Sequence, residues 1–147
     1  MFVDVTGPRG RGFLGIEVKY HENMRSAPAT DKGYTEMARQ TGVFAEAALE
    51  TLGRPPLQQL WLDHLLALRL RAAAAARWDW GVFVLLYPSR NTRCDDAAVR
   101  YRGCLTDGST FRTLTLEDYL DALVNPAGPG WAQELRGRYL GHPTSGK

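Results

Sequence analysis

Glu17 and Lys19 stand two residues apart inside FLGIEVKY, residues 13–20. In a β-strand alternate side chains share a face, so Glu17, Lys19 and His21 project together while Ile16, Val18 and Tyr20 project from the other side. Two opposite charges two residues apart on that face stand side by side. As an exposed ion pair the two residues contribute only about 0–1 kcal/mol. Composition makes the pair conspicuous: lysine occurs only at Lys19, Lys32 and Lys147, and every other cation of this kind is arginine, as in chains from GC-rich genomes. If the apolar face is the core face, the charged face lines a cleft or solvent. If both faces are covered, two buried charges cost several kcal/mol each unless they are paired or bound to a metal.

The elements that must position the pair follow from local pattern. Residues 2–5 (FVDV) read as the end of a strand, residues 6–12 (TGPRGRG) are rich in turn formers, and residues 13–20 resume a strand, which predicts a hairpin. Residues 21–33 have no period and read as an exposed loop. Residues 34–52 carry a loose helical stripe through Met37, Val43, Phe44, Ala48 and Leu52, with Gly53 as a stop. Pro55 and Pro56 open a second helix whose face runs through Leu57, Trp61, Leu65 and Leu68 toward the alanines at 72–76, read as a helix end packed closely on a neighbour. Residues 80–87 (WGVFVLLY), ended by Pro88, read as a central strand covered on both faces. Reaching it from the Glu17 strand through helices implies a crossover and parallel pairing. Residues 91–101 form a short polar helix or an irregular segment, and residues 111–114 a further strand. Thr115 and Asp118 make a capping-box-like pair for a helix over 116–124, with Leu114 and Tyr119 at staple positions. A last helix is expected over 131–140, beyond the breakers Pro126, Gly128, Pro129 and Gly130.

The 147 residues at 44% apolar content allow one domain, taken as 1–140, with 141–147 as a flexible tail. No run approaches the ~18 apolar residues of a membrane span, and the N-terminus lacks signal-peptide order, so a soluble cytoplasmic protein is expected. Cys94 and Cys104 have no companions at zinc spacing and read as ordinary thiols. The net charge of +2 and pI of 8.7 are too weakly basic to argue for nucleic acid alone. No P-loop, dinucleotide glycine motif or Gly-x-Ser-x-Gly turn is present.

The stretch GIEVKYHE, followed by QQLWLDHLLA and VFVLLYP, resembles the PD-(D/E)XK nuclease superfamily over roughly residues 1–90, in particular bacterial restriction-endonuclease-like proteins. The resemblance implies an α/β fold, a mixed β-sheet flanked by helices, and metal-dependent endonuclease action on DNA with Mg²⁺ or Mn²⁺. It further implies that Glu17 is a metal ligand, that Val18 offers its backbone carbonyl, and that Lys19 contacts the attacking water and scissile phosphate. A catalytically inactive, nuclease-derived nucleic-acid or protein-binding module is the alternative, and a small interaction protein in which Glu17 and Lys19 merely pair is a third reading.

The resemblance also requires an earlier acid. Asp4 is the only carboxylate before Glu17 and is its default candidate as catalytic residue and metal ligand. A hairpin folded near Arg9 sets Asp4 against Leu14 or Gly15 and leaves Glu17 opposite residue 1 or just before it. A bulge in the glycine-rich turn corrects that register; alternatively the acid and its preceding helix lie upstream of Met1 and the chain starts late. His21 binds phosphate or a second metal, or is an exposed polar residue; Glu22 reaches the metal only from a frayed strand end. Gln59 resembles a glutamine that some of these nucleases place near the Glu-x-Lys strand, a role Gln58 fills equally well. Asp63, one turn after Gln59 on the same helix face, and His64 after it are supporting candidates. Arg9, Arg11, Arg90 and Arg93 are candidate phosphate contacts or plain surface charges. Trp61, Trp78 and Trp80 read as core residues rather than base-stacking platforms. Two cuts on a duplex favour a homodimer.

Overall fold

The computed structural model describes residues 1–20, 24, 31–123 and 130–140. The turn-rich stretch folds more tightly than its composition implies. Strands β1 (Phe2–Gly7) and β2 (Gly10–Val18) pair antiparallel from Phe2 opposite Gly15 to Gly7 opposite Gly10, leaving only Pro8 and Arg9 in the turn. Gly10 sits at φ 85, a left-handed conformation that glycine adopts without steric cost.

β2 then pairs parallel with β3 (Trp80–Tyr87), and β3 parallel with β4 (Phe111–Thr115), giving one mixed sheet in the order β1-β2-β3-β4. Parallel neighbours require crossovers. The first runs through α1 (Lys32–Thr41), α2 (Leu49–Leu52) and α3 (Gln58–Ala73), the second through α4 (Thr92–Arg102). Helices α5 (Leu116–Leu123) and α6 (Gly130–Leu140) follow β4. This is the α/β mixed sheet flanked by helices that the resemblance implies.

Two glycine–aromatic pairs secure the β2–β3 register. Gly12 lies opposite Trp80, and a Cβ on it would fall 2.1 Å from the indole; Phe13 lies opposite Gly81, where a Cβ would fall 2.5 Å from the phenyl ring. A one-residue slip would drive each ring into a side chain and turn every β2 residue to the wrong face. The same register sets Glu17 beside Leu85.

Phe13, Phe83, Leu85, Tyr87 and Phe111 give the sheet its buried face, against Trp61 and Leu65 of α3 and Tyr101 of α4. Since Phe13 and Glu17 lie on the same side of β2, the charged pair sits at the end of the core-facing side rather than on a solvent face. The side carrying Val18, 47% exposed, is the more open one there.

Three local readings need correction. The stripe over 34–52 is broken: α1 ends at Gly42, whose φ of 66 supplies a left-handed cap, and Val43 and Phe44 are buried in extended chain, with Phe44 bridged to Leu105. A 3-10 turn (Glu46–Ala48) and the short α2 replace the rest. α3 starts at Gln58, after the prolines, and of the alanines at 72–76 only Ala74 packs against the core. Thr115 caps α5 by accepting from the Asp118 N–H at 3.0 Å, while its hydroxyl donates to the Asp118 carboxylate, so only half of a capping box forms. The last residue expected in that helix, Val124, and the tail 141–147 lie outside the described residues, as do His21 and Glu22.

Candidate active site

Glu17 occupies the carboxyl end of β2, one pair before the ladder's end, and Lys19 extends the pairing by donating its backbone N–H to the Leu86 carbonyl at 2.9 Å. Open parallel sheets present their ligand sites at this end of the strands. With the backbone held on both sides of Val18, the Lys19 side chain turns inward and is 7% exposed, its Nζ 2.9 Å from Glu17 Oε1. Glu17 is 30% exposed and opens toward water.

Helix α3 covers this end. Gln59, Asp63 and Ala67 recur every four residues and form one stripe. Ala67 lies against Gly15, Gln59 Nε2 donates to Glu17 Oε1 at 3.2 Å, and Asp63 shares a cleft of about 410 Å³ with Glu17. Phe13, Phe83, Leu66 and Leu70 supply its apolar walls. Both bonds to Glu17 fall on Oε1. Among the described residues Oε2 receives neither.

Asp63 is the most perturbed carboxyl of the site. Its Oδ2 is buried without a hydrogen-bond partner among the described residues. Burial, and secondarily the charge of Glu17, push its pKa up to about 6, with Lys19 opposing them. The two carboxylates offer hard oxygen donors of the kind a divalent cation takes, with Lys19 and the Met1 ammonium as the nearby positive charges. Among the described residues no group of three or more His, Cys, Asp or Glu gathers; Mg²⁺ needs no such cage, because waters and substrate phosphate complete its shell. The donor set therefore fits the ion.

The structure does not bring Asp4 to this place. Asp4 pairs with Phe13, four positions up β2 from Glu17 and so roughly 13 Å away along the strand. Its carboxylate accepts from Trp78 Nε1 at 2.7 Å and from Arg77 at 2.9 Å. The expected offset at the hairpin is real, and no bulge corrects it: the Met1 carbonyl accepts from Ile16 N–H, the Met1 ammonium donates to the Ile16 carbonyl, and Glu17 lies one residue beyond. His64 also leaves the site. It is fully buried between Tyr101 Oη at 2.9 Å and Thr110 Oγ1 at 3.0 Å, and burial lowers its pKa to about 4. Of the glutamines, Gln59 is the one bonded to Glu17.

Arg9 and Arg11 lie at the hairpin turn, the opposite end of β2, with Arg9 over the Trp80 ring. Arg90 and Arg93 line a shallow cleft with Tyr20 at the same sheet end as Lys19. Trp61 and Trp78 are buried as expected of core residues. Asp63 was the undervalued residue. Its signal was the four-residue spacing Gln59–Asp63–Ala67, which puts a carboxylate over the strand once Gln59 is placed there.

A mixed sheet whose acid-x-lysine strand feeds a crossover helix and a buried parallel strand is the architecture of a restriction-endonuclease-like domain. A sequence model of the PD-(D/E)XK nuclease superfamily matches residues 1–141, and the chain belongs to that superfamily. No curated protein and no solved structure matches it.

Proposed function

We propose that this chain is a Mg²⁺- or Mn²⁺-dependent nuclease that hydrolyses phosphodiester bonds of DNA. The observation that carries the reading is Lys19: an ammonium turned inward at the carboxyl end of a central parallel pair, 2.9 Å from a carboxylate whose second oxygen is left open. Burying an ammonium costs several kcal/mol even when paired, a cost that a structural ion pair at a strand end would avoid by pointing outward.

In this reading Glu17 would hold the cation, which when bound would supply Lewis acidity and lower the pKa of water. Lys19 provides a fixed positive charge for the scissile phosphate and the attacking water, a role its position beside Glu17 supports. Gln59 holds Oε1, so the carboxylate keeps one orientation as substrate arrives. Arg90 and Arg93, at the same end of the sheet, are placed to contact flanking phosphates.

The test incubates the full chain with supercoiled plasmid and with single- and double-stranded DNA and RNA oligonucleotides in Mg²⁺ or Mn²⁺. DNA cleavage by the wild type and its loss in Glu17→Gln support the proposal; equal cutting by both would sink it. A second reading, a nuclease-derived module that binds without cutting, draws on the commitment of Asp4 to Arg77 and Trp78. That reading expects salt-sensitive DNA binding and intact plasmid.

A further inference from the structure

We propose that Asp63, on the crossover helix, is the second metal-binding carboxylate of this chain, in the position that the hairpin residue Asp4 does not reach. The inference rests on the metal-dependent reading above and names the residue that completes it.

Its basis is which carboxylate oxygens are already in use. Asp4 is held by Arg77 and Trp78, Asp79 by the Arg11 N–H, Asp95 by the Tyr87 hydroxyl and Glu117 by Ser89. Each of these has a structural task. Asp63 Oδ2 is buried with no partner among the described residues, and buried polar atoms left in that state are rare in folded proteins. It shares the cleft with Glu17, whose Oε2 is likewise left out of the bonds that Lys19 and Gln59 make. A strand carboxylate and a helix carboxylate thus line one cleft, each with an oxygen that no described residue bonds, that of Asp63 lying out of reach of solvent.

The helix explains why this position can do the work. Gln59 anchors α3 to Glu17 by a direct hydrogen bond, and Asp63 follows one turn later on the same stripe. Ala67, another turn on, seats that stripe against Gly15. Asp63 is therefore carried on a helix between two points, Gln59 and Ala67, where it meets β2, whereas a ligand on the β1 edge would depend on a register that stops at Ile16. Leu66, 69% exposed, flanks the mouth of the cleft and leaves it open to solvent and substrate.

The experiment measures Mn²⁺ binding to the full chain, without nucleic acid, by loss of the free-ion electron paramagnetic resonance signal. Wild type, Asp63→Asn, Asp63→Glu and Asp4→Asn are compared. Asp63→Asn should weaken binding by about tenfold or more, a floor set by what lesser perturbations of metal shells cost. Asp63→Glu, which keeps the charge, should recover part of the loss, and Asp4→Asn should stay within about twofold of wild type. Thermal melts without metal should place Asp63→Asn at or above the wild-type midpoint, because a carboxylate that burial and Glu17 disfavour has been replaced by a neutral side chain. Wild-type affinity in Asp63→Asn overturns the inference and leaves the metal-dependent reading standing, as does an equal loss in Asp4→Asn. A wild-type chain that binds no Mn²⁺ overturns both.

Discussion

Breaking the Glu17–Lys19 pair should cost stability by an amount that separates a held charge from a surface ornament. At 2.9 Å the direct attraction is about 6 kcal/mol for an effective dielectric of about 20. Desolvation of a lysine that is 7% exposed offsets most of this, while Glu17, at 30%, keeps part of its hydration. The coupling that survives should be about 1–3 kcal/mol, above the roughly 0–1 of an exposed pair. Lys19→Met should be the costlier single change, about 2–3 kcal/mol, because it leaves Glu17 and Asp63 lining one cleft with only the Met1 ammonium near them. Glu17→Gln should cost less, since the amide oxygen still accepts from Lys19. The assay is urea unfolding of wild type, both single variants and the double variant at neutral pH without divalent ions. A coupling energy below about 0.3 kcal/mol, the scatter of independent sites, would refute the reasoning and return the pair to the surface.

Other perturbations address neighbouring parts of the account. Asp4→Ala should lower stability by about 1–2 kcal/mol, through lost bonds from Trp78 and Arg77, while metal-dependent cleavage persists; cleavage assays beside denaturation curves read both. His64, with its pKa lowered from 6.5 to about 4 by burial, is neutral in the fold. Its contribution is complete above about pH 6.5 and drains as pH falls through 4, so by about pH 4.5 the wild type should lose about 2–3 kcal/mol more than His64→Gln. Gly81→Ala should destabilise by at least about 2 kcal/mol, because the new Cβ falls 2.5 Å from the Phe13 ring; a melt within a degree of wild type would show that the ring has room to move. Gln59→Ala should slow cleavage more than it weakens DNA binding, as expected of a residue that orients Glu17, and comparing the single-turnover rate with the binding constant checks it.

The sheet was legible because its signals are local. Alternation marks β2, the unbroken apolar run WGVFVLLY marks a strand covered on both faces, and the helices between them dictate a parallel crossover. The Glu17–Lys19 pair follows from the same alternation. Which side of β2 would be buried was not legible, because Ile16 and Val18 look more core-like than Glu17 and Lys19 until Phe13 and Gly15 are seen to share the charged side. Asp4 misled for a related reason. Its true partners, Arg77 and Trp78, are 73 and 74 residues away, and no local pattern announces a bond across that span. The break at Gly42 was missed because Val43 and Phe44 continue a helical period while serving the core from extended chain. Asp63 needed one tertiary fact, the seating of Gln59 on β2, before its position on the helix acquired meaning.

The central claim is that Glu17 and Lys19 cut phosphodiester bonds with a divalent cation, and the most direct measurement is single-turnover cleavage of end-labelled duplex DNA by wild type and Lys19→Ala in Mg²⁺. The account predicts cleavage that stops on addition of EDTA and falls by about a hundredfold or more in Lys19→Ala, the scale on which loss of one charge-stabilising group acts. Cleavage by Lys19→Ala at the wild-type rate would contradict it.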